Sequence, residues 1–148
     1  MYHVQIVAND QQLDDAFFVR KKVFVEEQGV PLNLEVDEYD ETASHFVVYH
    51  KDVPIGAGRI RETTPNVGKV ERVCILPNYR GLHLGKQIMK ALENHGAELQ
   101  FHKIVLNAQS HAIPFYESIG YHITSPEFLD AGIPHRAMEK QLHSSISY

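Results

Sequence analysis

The sequence predicts a single α+β domain, a mixed and mostly antiparallel sheet of six to seven strands with about four helices. Three observations carry that expectation. The chain has 148 residues, 43% hydrophobic and 22% charged, the composition of an ordinary globular unit with one core. Its first half alternates apolar and polar residues in short runs, whereas its second half mixes helical spacing with a β-branched apolar run. No repeat and no Pro/Gly/Ser-rich linker divides it.

Tyr2 to Ala8 alternates, with Tyr2, Val4, Ile6 and Ala8 on one side, as an opening strand does. Asn9 and Asp10 are N-cap residue types, and Leu13, Ala16, Phe17, Arg20 and Phe24 then recur at helical spacing, the stem of Arg20 lying along the apolar stripe. Gly29 and Pro31 stop that helix. Ser44 to His50 and Ile55 to Glu62 read as a hairpin turning at Lys51-Asp52-Val53-Pro54, and Lys69 to Leu76 as the next antiparallel strand. From Leu84 the residues Ile88, Ala91, Leu92 and Leu99 trace one helical face to about Gln100. Lys103 to Ala108 is short and nearly all apolar, as a buried parallel strand is. Ala112 to Ile119 is a short helix with Pro114 in its first turn and Gly120 at its end. Tyr121 to Ser125 and about Arg136 to Leu142 are closing strands around a loop, FLDAGIPH.

Composition excludes several classes. No apolar run reaches the roughly 20 residues of a membrane helix, and the first residues lack a signal-peptide layout, so a soluble cytoplasmic protein is expected, with no membrane partner. One cysteine, Cys74, makes no internal disulfide. Net charge is −5, but seven acids and no Lys or Arg fall between Glu26 and Glu41, so 12 acids against 14 bases leave the rest at +2. That distribution disfavours a nucleic-acid groove, which needs clustered cations. It fits either a solvated acidic loop or an acidic mouth for a cationic small molecule. Ten histidines show no HExxH and no close ligand cluster, so no metal is expected.

The segment Val73 to Lys86 carries the chemistry: a strand, a tight loop with Gly81 and Gly85, then a long helix. The first N–H groups of a helix lack internal partners and its dipole is positive there, so a diphosphate can sit against them where glycines permit close approach, helped here by Arg80 and Lys86. A Walker loop needs GxxxxGK[ST], whereas GLHLGKQ has three residues between its glycines and Gln87 in place of the hydroxyl. The dinucleotide fingerprint GxGxxG is absent as well.

VERVCILPNYRGLHLGKQIMKAL resembles the acetyl-CoA signature of the Gcn5-related N-acetyltransferase (GNAT) superfamily, and AQSHAIPFYESIGY resembles its later motif. VFVEEQGVP, EVDEYDE, SHFVVY and GIPHRAM look like its ElaA/YjcF-type branch. The resemblance covers nearly the whole chain. It implies a GNAT-like fold, acetyl-CoA as co-substrate, and a small-molecule or peptide amine as acceptor; dimers are common among relatives, so a homodimer is compatible with it. It implies that the backbone of Cys74 and Ile75 pairs with the pantetheine arm. The amides from Gly81 through Leu82, His83, Leu84 and Gly85 to Lys86, beside Arg80, would then hold the diphosphate. His83 replaces a family glycine; it presents its amide if φ is negative, whereas a positive φ costs about 1 kcal/mol or more.

Acetyl transfer needs a neutral amine, donors for the oxyanion and an acid for the thiolate. The resemblance places Tyr116 as the acid; the alternative is packing beside Phe115. The oxyanion is expected to meet a backbone amide of the fourth strand, that of Ile75. Gln109 stands where relatives carry a cofactor-contacting Asn, or else makes a helix N-cap contact. Glu71 matches a carboxylate acting through water, or pairs with Arg72 or faces solvent. His135 and His111 are rival bases, while His45, Glu27 and Gln28 read as acceptor-pocket or buried hydrogen-bonding residues. A buried Cys74 side chain reads as a small hydrophobe. A non-catalytic acyl-CoA-binding module is the alternative function.

Overall fold

Alternation in the first residues does produce a strand in a computed structural model describing residues 1–142: β1 (Tyr2–Ile6). Helix α1 (Asp10–Arg20) starts where the Asn9 side chain accepts the Gln12 N–H at 2.9 Å. It runs straight into a π-helical segment, Lys21–Glu27, in which the Gln28 N–H reaches back five residues to the Val23 carbonyl. The wider turn ends at Gly29, whose φ of +75° suits a residue without Cβ. A short α2 (Leu32–Glu35) and a 3₁₀ turn (Glu38–Glu41) then lead to β2 (Ser44–His50), β3 (Val53–Thr64) and β4 (Val67–Ile75). Then come α3 (Leu84–Glu98), β5 (Lys103–Gln109), α4 (Ile113–Ser118), β6 (His122–Ile123), β7 (Phe128–Asp130) and β8 (Ile133–Gln141).

The sheet order is β1-β2-β3-β4-β5-β8-β6, with β7 paired to β8; β4 and β5 are parallel and the other pairs antiparallel. Eight strands therefore stand where six to seven are predicted. The extra one comes from the segment read as a loop: Ala131 (φ +52°) and Gly132 (φ +77°) make a two-residue turn that folds Phe128–Asp130 onto Ile133–His135. Strand β6 is shorter than Tyr121 to Ser125.

Period-two alternation sends β2 side chains to both faces, and each face is covered by one long helix. Val47, Ala57 and Cys74 bury against Ala16, Val19 and Val23 of the first helix. Phe46, Val48, Ile60 and Val70 bury with Leu84, Ile88, Met89 and Leu92 of α3. No helix among the described residues is long and apolar enough to cross a membrane.

Candidate active site

The parallel ladder between β4 and β5 runs only from Val67↔Lys103 to Val70↔Leu106. Beyond it β4 carries a β-bulge opposite Ala57 and Arg59, with Arg72 at φ +61°, and β5 continues to Gln109 against β8 alone. The two strands part, leaving β4 with a free edge. The Leu76 N–H donates to Ile55 O of β3 at 2.9 Å. Successive peptide groups point to opposite sides of a strand, so the N–H and C=O of Ile75 face the gap. Arg80 confirms the direction: its Nε donates to Ile75 O at 3.0 Å.

The loop after β4 passes through a 3₁₀ turn, Pro77–Tyr79, to Arg80 and Gly81. Gly81 has φ +81° and open space where a Cβ would stand, while a Cβ on Gly85 would lie 3.3 Å from the Phe115 ring, so α3 approaches α4 closely there. Leu82 is exposed, Leu84 is buried and offers the gap only its backbone, and Lys86 is exposed. His83 is the N-cap with φ +61°, ψ 20° and no side-chain capping bond. The negative φ that would let it replace a glycine without strain is not adopted, because the turn into α3 needs a left-handed residue at this point. The Gln87 N–H reaches His83 O at 3.3 Å, so the amides of Leu84, Gly85 and Lys86 stay without intrahelical partners. An uncapped helix start, an open Gly81 and flanking cations fit a diphosphate.

Tyr116 sits on α4, edge-on to Phe115 and Tyr121 at 5.0 and 5.8 Å. Burial, and secondarily the Cys74 thiol, pushes its phenol up to about 12, so it is protonated at neutral pH. Its hydroxyl has no protein partner among the described residues, and none of their buried side-chain N or O atoms lacks one, so the hydroxyl remains accessible. His135 donates Nδ1–H to Ile133 O at 2.7 Å and stacks on Phe128 at 6.0 Å, which leaves Nε2 as a lone-pair acceptor in the neutral ring. It lies directly opposite Gln109 in the ladder and therefore on the same face of the sheet. Gln109 Nε2 donates to Gln28 Oε1 at 2.9 Å, and His111 Nε2 donates to Gln109 Oε1 at 2.7 Å. The Gln109 side chain thus ties to the end of the first helix and makes no N-cap bond.

Other predicted residues are engaged elsewhere. Glu71 bonds to Arg59 (3.0 Å), Arg61 (2.7 Å) and, more distantly, Lys69 (3.6 Å). Burial alone would raise its pKa, yet Arg61, Arg59 and Lys69 outweigh it and hold the carboxyl below its ordinary value. A carboxylate so occupied is a poor proton acceptor. Arg72, its alternative partner in the sequence, bonds instead to Glu35 and Asp37 at 3.3 and 3.2 Å. Burial pushes the Cys74 thiol up to about 12, leaving it unionised. His45 is buried, donates to Asp40 O at 2.8 Å, and burial lowers its pKa.

Sequence reasoning missed the ion cluster beneath this region. Arg20 is fully buried instead of lying along the stripe, and bonds to Glu35 and Asp40, both at 2.6 Å. Arg59, also fully buried, bonds to Asp37 and Asp40 at 2.8 and 2.7 Å. Glu35, Asp37 and Asp40 are therefore neither a solvated loop nor an acidic mouth. The available signal was Arg59 interrupting the apolar run Ile55 to Ile60, together with Arg20 in an apolar helical phase. Among the described residues, no group of three His, Cys, Asp or Glu side chains is placed to hold a metal ion.

The Acetyltransferase (GNAT) domain family matches residues 7–142. YjcF of Bacillus subtilis (strain 168), an uncharacterized N-acetyltransferase by name, is 48% identical over 136 residues, covering 91% of this chain and 96% of that protein. A solved structure from Lactobacillus plantarum, described as an N-acetyltransferase, is 30% identical with a TM-score of 0.89, covering 96% of this chain and 99% of that one. Escherichia coli ElaA shares the fold with a TM-score of 0.85 at 23% identity, over 95% of this chain and 99% of that one.

Proposed function

Because the chain belongs to the GNAT acetyltransferase family and is an N-acetyltransferase, we propose that it transfers the acetyl group of acetyl-CoA to an amine by direct attack on the thioester in the gap between β4 and β5. One observation carries this reading: the free edge of β4 turns the Ile75 peptide groups into the gap, next to an uncapped helix start. An acyl-CoA supplies an anionic diphosphate, an amide-bearing arm and an activated acyl carbon. The amides of Leu84 to Lys86, with Arg80 and Lys86, hold the diphosphate, and the edge of β4 takes the arm as an added strand.

Each remaining group has one task. The Ile75 N–H donates to the thioester oxygen as negative charge develops there. His135 Nε2 accepts the proton that the amine loses as the new C–N bond forms and the C–S bond breaks. Tyr116 donates to the departing sulfur. A phenol at about 12 is a weaker acid than a thiol at about 8.5, so it works by hydrogen-bonding the developing thiolate more than by early proton transfer. In this proposal Glu71 is a structural carboxylate. Gln109 positions the first helix, and the reaction takes place in the cytoplasm, where a single buried thiol suits reducing conditions.

The test is a thiol-release assay with acetyl-CoA across monoamines, polyamines, aminoglycosides and peptides. Amine-dependent release is expected for at least one class. Coenzyme A binding without release for any amine would favour the non-catalytic acyl-CoA module.

A further inference from the structure

Two adjacent residues at the tip of the π-helical segment grip opposite rims of the gap. Glu27 takes both terminal nitrogens of Arg80, beyond β4, at 2.8 and 2.7 Å. Gln28 bonds to Gln109, the last residue of β5, at 2.9 Å. Both residues stand where the π-helical segment ends, Glu27 as its last residue and Gln28 as its C-cap.

Arg80 spends three of its five N–H donors in this arrangement. Its Nε is on Ile75 O and its terminal nitrogens are on Glu27, so neither two-point face of the guanidinium is free for an anion. A diphosphate at the start of α3 presents more negative charge than one carboxylate and competes for the same fork. When it wins, two things change together: the Ile75 carbonyl opens toward the arm, and the Glu27 carboxylate loses the guanidinium it pairs with. Glu27 is 39% exposed at the rim of the gap, next in sequence to Gln28, which bonds Gln109, itself opposite His135 in the ladder.

We propose that Glu27 is the docking residue for the acceptor, taking a protonated amine, and that Arg80 masks it until the diphosphate draws the guanidinium away. This deepens the acetyltransfer reading and rests on it. The acceptor class is a cation that arrives as an ammonium, gives one proton to solvent before it attacks and the second to His135 Nε2 as the C–N bond forms, and its docking carboxylate is a different group from the acids of the buried cluster. By linkage the two substrates favour each other, because each occupies one half of the ion pair that the other must break.

The test titrates coenzyme A by calorimetry into the full chain and its Glu27→Gln, Arg80→Gln and double variants. Removing the internal competitor should tighten coenzyme A by roughly twofold to fivefold in Glu27→Gln, the range expected for an exposed ion pair. That gain should vanish when Arg80 is already Gln. With the best amine from the thiol-release assay, Glu27→Gln should raise KM for the amine about tenfold or more while lowering KM for acetyl-CoA. Glu27→Ala should change both in the same directions, which separates the effect from any quirk of the amide. Unchanged or weaker coenzyme A binding in Glu27→Gln, or an unchanged amine KM, overturns the inference and leaves the acetyltransfer reading standing. Failure of the unsubstituted chain to bind coenzyme A overturns both.

Discussion

His83 shows how a single residue can carry strain at a useful place. A non-glycine residue in the left-handed region costs about 1–2 kcal/mol, and His83 adopts φ +61° without a capping bond in return. Glycine removes the Cβ clash but adds unfolded-chain entropy, about 0.5–1 kcal/mol. His83→Gly should therefore raise stability by up to about 1 kcal/mol, seen as a Tm increase of about 2–4 °C in thermal denaturation. A fall in Tm would mean that the imidazole makes a contribution of its own. The need for a special residue here was legible from the loop pattern. The sign of φ was not, because it depends on how the 3₁₀ turn at Pro77 aims the chain at α3.

At the scale of elements, the acidic segment and strands β3 and β4 are locked by buried ion pairs. Burial opposes ionisation of Asp40, but Arg20 and Arg59 more than offset it and keep its pKa far below the ordinary range. Truncating one member leaves the others charged and dry, so Arg59→Met should lower the unfolding free energy by about 3–5 kcal/mol in urea denaturation. A loss under about 1 kcal/mol would show that solvent reaches Asp37, Asp40 and Glu71 freely. The same cluster sets an acid limit. His45 has a depressed pKa in the fold, so the stability it contributes is full above its unfolded value of about 6.5 and declines as pH falls below it. Asp37, Asp40 and Glu71, also depressed, add a second decline below about pH 4.5. His45→Gln should flatten the unfolding free energy between pH 6.5 and 5 while leaving the lower limb. An unchanged slope would remove His45 from the account. Periodicity reveals the helix holding Arg20 and the strand holding Arg59, but pairing across 12 to 22 residues of sequence is a tertiary fact that neither pattern contains.

At the scale of the molecule, the order of strands and helices was readable because each segment's apolar period agrees with the face it buries. Leu84, Ile88 and Leu92 fall on one side of α3, and Val47 opposes Phe46 and Val48 across β2. What the sequence hides is the parting of β4 from β5, which follows from a bulge at Arg72 that no local residue signature announces. The candidate site was half legible for the same reason. Tyr116, Ile75 and the loop from Gly81 to Lys86 stand in local motifs, whereas the clasp of Glu27 and Gln28 across the gap joins residues 53 and 81 positions apart in sequence. If the opened strands hold a thioester with Tyr116 at its sulfur, removing one oxygen atom should damage turnover and spare binding. The decisive measurement is kcat for amine-dependent thiol release, set beside the coenzyme A dissociation constant, in Tyr116→Phe. A kcat reduced by about a hundredfold or more with the dissociation constant within about twofold is the expected result. Equal turnover by the two proteins would contradict it.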